Sequence, residues 1–127
     1  MKLNELEREV LGRFLADKDL RFSVDKIDMD AVNVADRSFT GIGFVTDVQK
    51  DENVRLLDDA RSVRWCKVAA RLNDEQIETG YVVYVDGGYL SGLEGFTYGG
   101  QQWPLRIGKL DLYSFDPTSG DLRKGES

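Results

Sequence analysis

Gly80-Tyr-Val-Val-Tyr-Val-Asp-Gly-Gly-Tyr-Leu-Ser-Gly-Leu-Glu-Gly-Phe-Thr-Tyr-Gly-Gly-Gln-Gln-Trp-Pro104 is the stretch on which the fold turns. Tyr81 to Val85 alternates β-branched with aromatic residues, Asp86-Gly87 accepts the left-handed dihedrals of a type I′ turn, and Tyr89 to Tyr98 runs back, so a β-hairpin is expected. With Asp86-Gly87 as a two-residue loop, Val85 lies opposite Gly88, Tyr84 opposite Tyr89 and Val83 opposite Leu90. Alternation then puts Val82, Tyr84, Tyr89, Ser91 and Leu93 on one face, and Tyr81, Val83, Val85, Leu90, Glu94 and Phe96 on the other. Neither face is cleanly polar. The expectation is that a helix covers one and that a loop, a second copy of the chain or a partner covers the other. Gly92 and Gly95 interrupt the second strand and mark a bulge, a bend or a close backbone approach.

Outward from the hairpin, 127 residues correspond to one α+β domain over residues 1–115, with a polar tail over 116–127 that is expected to fray. A chain of this size buries about two-thirds of its unfolded surface, so neither metal nor disulfide is needed to hold it. Cys66 is the only cysteine and histidine is absent. That removes internal disulfides, imidazole metal ligands and Ser-His-Asp or Cys-His catalysis, and leaves carboxylate, lysine or tyrosine chemistry. Seventeen basic against 23 acidic residues give a net charge of −6, which argues against a nucleic-acid backbone as the main partner. No stretch reads as a signal-peptide apolar region and no apolar run is long enough to span a bilayer; a cytoplasmic location is expected.

Leu3, Leu6, Val10, Leu11, Phe14 and Leu15 recur at helical spacing and predict a helix from about Asn4 to Ala16. Asn4 stands at the cap, Glu7 where a capping-box carboxylate reaches back, and Glu9 and Arg13 at i,i+4 pairing distance. Leu20, Val24 and Ile27 fit a second short helix, although the same apolar run suits a strand. Strands follow over Ala31 to Phe39, Ile42 to Val48 and Val63 to Leu72, with a last one over Ile107 to Phe115. Gln49 to Ser62 reads as an exposed charged loop around an isolated Leu56-Leu57 pair.

Few residues carry a chemical suggestion. Gly41-Ile42-Gly43 lacks the third glycine, the lysine and the following helix of a phosphate loop, and fits close sheet packing. Asp58-Asp59 lacks the ordered oxygen ligands and turn glycine of a calcium loop, and Cys66, despite Arg64 and Lys67 nearby, has no base. Glu94 lies in an apolar, aromatic strand. If covered, it needs a partner such as Arg64, Arg71 or Arg106; in a cleft it would suit acid-base or binding work. Phe96, Tyr98 and Trp103, with Gln101 and Gln102, offer either a stacking platform for a ligand or closure of the core. Glu94, Tyr98 and Trp103 are therefore the candidate ligand- or partner-binding residues, with no catalytic set, metal or cofactor expected.

Arg37-Ser-Phe-Thr-Gly-Ile-Gly-Phe44, the Asp86-Gly87 hairpin, Leu93-Glu-Gly-Phe-Thr-Tyr98 and Trp103-Pro104 together resemble a family of small uncharacterised bacterial proteins with a Leu-Glu-Gly-aromatic-Thr-Tyr-Gly hairpin followed by Trp-Pro. The resemblance spans Arg37 to Pro104. It implies a shared fold and brings no catalytic residues. The resulting expectation is an N-terminal helix or helix pair packed on a mostly antiparallel sheet. Its function would be that of a non-enzymatic interaction module resembling immunity proteins, which neutralise a toxin partner by charge and shape, with a homodimer also open. The alternative is a small ligand-binding protein or enzyme using Glu94 near Tyr98 and Trp103.

Overall fold

The computed structural model describes residues 1–20 and 27–116. Its helix α1 spans Glu5–Leu15 and begins where the sequence supplies a cap: the Asn4 side chain accepts from the Glu7 amide, and the Glu7 carboxylate accepts from the Asn4 amide. The apolar stripe Leu6, Val10, Leu11 and Phe14 is buried, and Phe14 meets Trp65 edge-on at 5.3 Å between ring centroids. Arg13 makes no ion pair with Glu9. Its guanidinium donates instead to the carbonyl of Leu112 on the outer strand at 3.1 Å, an acceptor that no further strand pairs among the described residues.

Strands β1 (Val34–Phe39), β2 (Gly43–Val48), β3 (Val63–Trp65), β4 (Val68–Leu72), β5 (Ile77–Asp86), β6 (Tyr89–Thr97) and β7 (Leu110–Ser114) form one sheet in the order β1-β2-β6-β5-β4-β7, with β3 also on β5. Every pairing is antiparallel. The fold is thus α+β, a helix packed on an antiparallel sheet, as the sequence implies. The proposed second helix falls largely on residues 21–26, and the frayed tail on 117–127, both outside the described residues. No helix among the described residues is long and apolar enough to cross a membrane.

The central hairpin forms, but its loop sits one residue further along the chain than expected, which shifts the pairing by two residues. Gly87-Gly88 is the loop, with φ of 60° and 91°, and Asp86 pairs with Tyr89. Two adjacent glycines meet the double left-handed requirement of a type I′ turn better than Asp-Gly does. Position 88 has a further reason to be glycine: a Cβ there would lie 2.8 Å from the Leu57 carbonyl oxygen and 2.7 Å from that of Asp59. A bulge at Ser91 follows, since Val85 pairs with Leu90 and Tyr84 with Gly92. The displaced turn leaves the faces as they were, because it shifts the pairing by two residues. The bulge reverses them beyond Ser91, moving Leu93 to the helix-covered face with Tyr81, Val83, Val85 and Leu90, and Glu94 and Phe96 to the opposite face with Val82 and Tyr84.

Other boundaries tighten. The Val63–Leu72 strand breaks at Cys66-Lys67 into β3 and β4, both pairing with β5. Met29–Ala31 is a 3₁₀ turn before β1, and β7 starts only at Leu110. The Gln49–Ser62 segment is not simply exposed: Val54, Leu56 and Leu57 are buried, and the amides of Leu56 and Leu57 both donate to the Gly88 carbonyl, at 2.8 and 3.1 Å. Its charges face water while its leucines close the end of the core.

Both outer strands carry arginine guards. On β1, Arg37 turns inward to Glu7, and Val34 exchanges main-chain bonds with Met1. On β7, Arg13 occupies the Leu112 carbonyl. Inward charges and occupied edge groups are what discourage strand addition by another chain.

Candidate functional site

The sheet curls around α1 until its two outermost strands flank one cleft of about 410 Å³. The first half of α1 contributes Asn4, Glu5, Leu6 and Glu9, β1 and β2 contribute Arg37, Phe39 and Phe44, and the chain from Trp103 to Leu110 forms the far wall. Trp103 is its pivot. The Trp103 amide donates to the Gly41 carbonyl at 2.8 Å, and its ring packs edge-on against Phe44 at 5.3 Å and Tyr81 at 6.5 Å. Just before it, the Thr97 hydroxyl donates to the Gln101 carbonyl.

Beyond Pro104 the chain forms a lip held by Asn73. That residue adopts φ 65° in the β4–β5 turn, a conformation asparagine tolerates better than most side chains. Its Oδ1 accepts from the amides of Gly108 and Lys109 at 2.7 and 3.2 Å. Its Nδ2 donates to the Arg106 carbonyl at 2.8 Å, and its own amide donates to the Lys109 carbonyl at 3.0 Å. A segment without regular structure is thereby fixed in place, and it presents Leu105 at 99 % exposure and Ile107 at 37 %; across the cleft Phe39 is 68 % exposed.

The charges around the cleft are of two kinds. Arg37 is consumed: its Nη2 and Nε donate to the two Glu7 oxygens at 2.5 and 3.0 Å. Glu5 and Glu9 are exposed on the rim, one helical turn apart on α1, and among the described residues neither has an ion pair. The site offers an apolar floor with two exposed carboxylates on its helical rim and the exposed Arg106 on the lip opposite, an arrangement suited to binding.

Of the residues singled out from the sequence, only Trp103 lines this cleft. Glu94 and Tyr98 lie on the opposite face of the sheet. Glu94 is half-buried and accepts from the Tyr84 hydroxyl at 2.8 Å; among the described residues it makes no ion pair, and Arg71 goes to Glu78 at 2.9 Å. Burial first, and then the bond to Glu94, push the Tyr84 phenol above its ordinary pKa. Tyr98 packs edge-on against Phe96 at 5.5 Å, and its phenol is raised by burial and then by nearby Cys66 and Glu78. Tyr113, beside Glu78 and under Arg71, is pushed up to about 12, chiefly by burial.

The fully buried carboxylate is Glu7 rather than Glu94. It accepts from the Asn4 amide at 2.8 Å, from Arg37 and from the Thr46 hydroxyl at 2.5 Å. Its capping role is legible in the sequence; its burial depends on β1 and β2 crossing beneath it. Phe39, Leu105 and Ile107 escape a sequence reading because an exposed apolar residue in a strand or loop carries no local signature.

At the other end of α1 a depression of about 460 Å³ is lined by Arg13, Asp17, Trp65 and Lys67 among others. Asp17 accepts from Trp65 Nε1 at 2.7 Å and lies 3.6 Å from the Lys67 ammonium. Burial alone would raise its carboxyl, but the Asp19 amide, the Trp65 indole and Lys67 outweigh burial and hold it below the ordinary value. Among the described residues no group of three or more acidic or cysteine side chains is placed to hold a metal ion. Comparison with the profiles of known protein families, with curated protein sequences and with solved structures gives no match to this chain.

Proposed function

We propose that the protein is a non-enzymatic protein-interaction module and that the cleft with its lip is the contact surface. The observation that carries this reading is the gathering of Phe39, Leu105 and Ile107, exposed apolar side chains from two distant parts of the chain, around one concavity. Rigid presentation adds weight, because the lip is fixed by Asn73 before any partner arrives, so little ordering entropy remains to be lost on binding. The guarded strand edges turn recognition away from strand addition and toward side-chain insertion. An acidic chain that covers a partner by shape and charge fits an immunity-like role in a bacterial cytoplasm.

The alternative, a ligand site built from Glu94, Tyr98 and Trp103, draws less support, since the sheet separates Trp103 from the other two. Photo-crosslinking residues placed singly at Leu105 and at Val45, in the cells that make the protein, distinguish the two surfaces. Val45 is exposed beside Glu94. Covalent adducts to a defined protein are expected from position 105 and not from 45. Adducts from 45 alone would move the site to the opposite face.

A further inference from the structure

The charge pattern at the cleft narrows what can bind there. We infer that its occupant is a basic amphipathic protein segment, one that inserts an apolar side chain between Phe39 and Leu105 and sets lysine or arginine against Glu5 and Glu9; this rests on the interaction reading above. The argument is one of complementarity. Glu5 and Glu9 project from successive turns of α1, about 6 Å apart, a spacing matched by cations three or four residues apart on a helix. Both lack an ion pair among the described residues, whereas the one guanidinium in the cleft is held two-point by Glu7. An incoming anion would therefore meet two carboxylates that have no ion pair among the described residues and no unpaired cation within the cleft lining, of which the exposed Arg106 of the lip is not part. An incoming cation would meet the two carboxylates as partners. The net charge of −6 acts in the same direction at longer range, steering a basic partner toward the molecule. An anionic membrane surface is disfavoured by the same rim, and a second copy of this acidic chain would bring like charge to like.

The test is a titration of the isotopically labelled full chain with a short blocked peptide carrying leucine on one helical face and lysine on the other, followed by amide shifts, with a matched peptide in which glutamate replaces lysine. The lysine peptide is expected to shift Glu9, Gly108 and Leu110. Glu5→Gln with Glu9→Gln should weaken it about fivefold and reduce its salt dependence. Asp47→Asn with Asp58→Asn, which removes the same charge from exposed positions outside the cleft, should leave affinity within about twofold; Leu105→Ser should weaken binding with the charge intact. Equal binding of the glutamate peptide, equal weakening by the Asp47 and Asp58 pair, or shifts produced by raising the protein concentration alone would each overturn the inference. If the lysine peptide leaves the cleft amides unmoved while position 105 still crosslinks, the basic-segment inference fails and the interaction reading stands. Loss of the crosslink as well removes both.

Discussion

Glu7 of α1 and Arg37 of β1 form a two-point ion pair, Nη2 to Oε1 at 2.5 Å and Nε to Oε2 at 3.0 Å, with Glu7 fully buried and the Arg37 side chain 14 % exposed. One carboxylate thereby caps the helix, binds the edge strand and, through Thr46, touches β2. The pair also forms the inner end of the cleft, so its integrity decides whether α1 and β1 stand at the right separation.

Removal of Arg37 leaves a desolvated carboxylate with only neutral donors. Arg37→Ala is expected to lower unfolding free energy by about 3 to 5 kcal/mol, read from urea denaturation. Replacing both partners with apolar residues, Glu7→Leu with Arg37→Met, should recover a large part of that loss, since the uncompensated charge is gone. A double variant as unstable as Arg37→Ala would show that capping and geometry, rather than charge, dominate.

Asn73 controls the lip. Asn73→Gly keeps the left-handed backbone open while deleting the three side-chain bonds to Arg106, Gly108 and Lys109. Global stability should fall by about 1 to 2 kcal/mol, whereas amide exchange at Gly108 and Lys109 should accelerate by more than the global change explains. Partner or peptide affinity should fall with it, because Leu105 is no longer presented in one place.

The helix and its capping box are legible in the sequence because both are local: spacing of 3 and 4, and a cap three residues from its carboxylate partner. The strands are legible for the same reason, to within a few residues at their ends. What the sequence hides is register. One unrecognised bulge at Ser91 exchanges the faces of Leu93 and Glu94, and so places a buried carboxylate at 94 when the buried one is at 7. Gly95 shows how the signal survives in part: the expected close approach exists, with the Phe44 ring 2.4 Å from where a Cβ would sit, but the identity of the approaching group depends on pairing between distant strands. The cleft is hidden further, because its walls come from residues 4–9, 37–44 and 103–110, which only the folded sheet brings together.

The Asp17, Trp65 and Lys67 contact should give a stability plateau with edges at both ends of the pH scale. The folded pKa of Asp17 lies below its ordinary 3.8, so its contribution is complete above that value and is lost as pH falls through the folded pKa. Lys67 is raised above 10.5 by Asp17 first and then Asp19, so its contribution is complete below 10.5 and is lost as pH rises through the folded value. The alkaline edge should be the weaker, because the lysine is half-exposed and solvent screens it. Urea midpoints measured from pH 2 to 6 for the wild type and Asp17→Asn check the acid edge: the variant should show the shallower decline. An identical slope would place the acid sensitivity elsewhere.

Glu94 and Glu7 invite opposite outcomes from the same substitution. Glu94 is half-buried and its partner is the neutral Tyr84 hydroxyl, so Glu94→Gln retains a carbonyl acceptor and strands no charge; its melting temperature should move little, with a change of about 0.5 kcal/mol or less. Glu7→Gln removes the counter-charge of a largely desolvated guanidinium and should cost several times as much, about 3 kcal/mol or more. Tyr84 supplies an independent check within the first variant, since the bond to Glu94 is one reason its phenol is raised. Its ring resonances should therefore titrate at lower pH in Glu94→Gln than in the wild type, while burial keeps them above the ordinary tyrosine value. A large loss of stability in Glu94→Gln with an unmoved Tyr84 titration would mean that the carboxylate's partner is one other than Tyr84, and would restore Glu94 as a second buried charge.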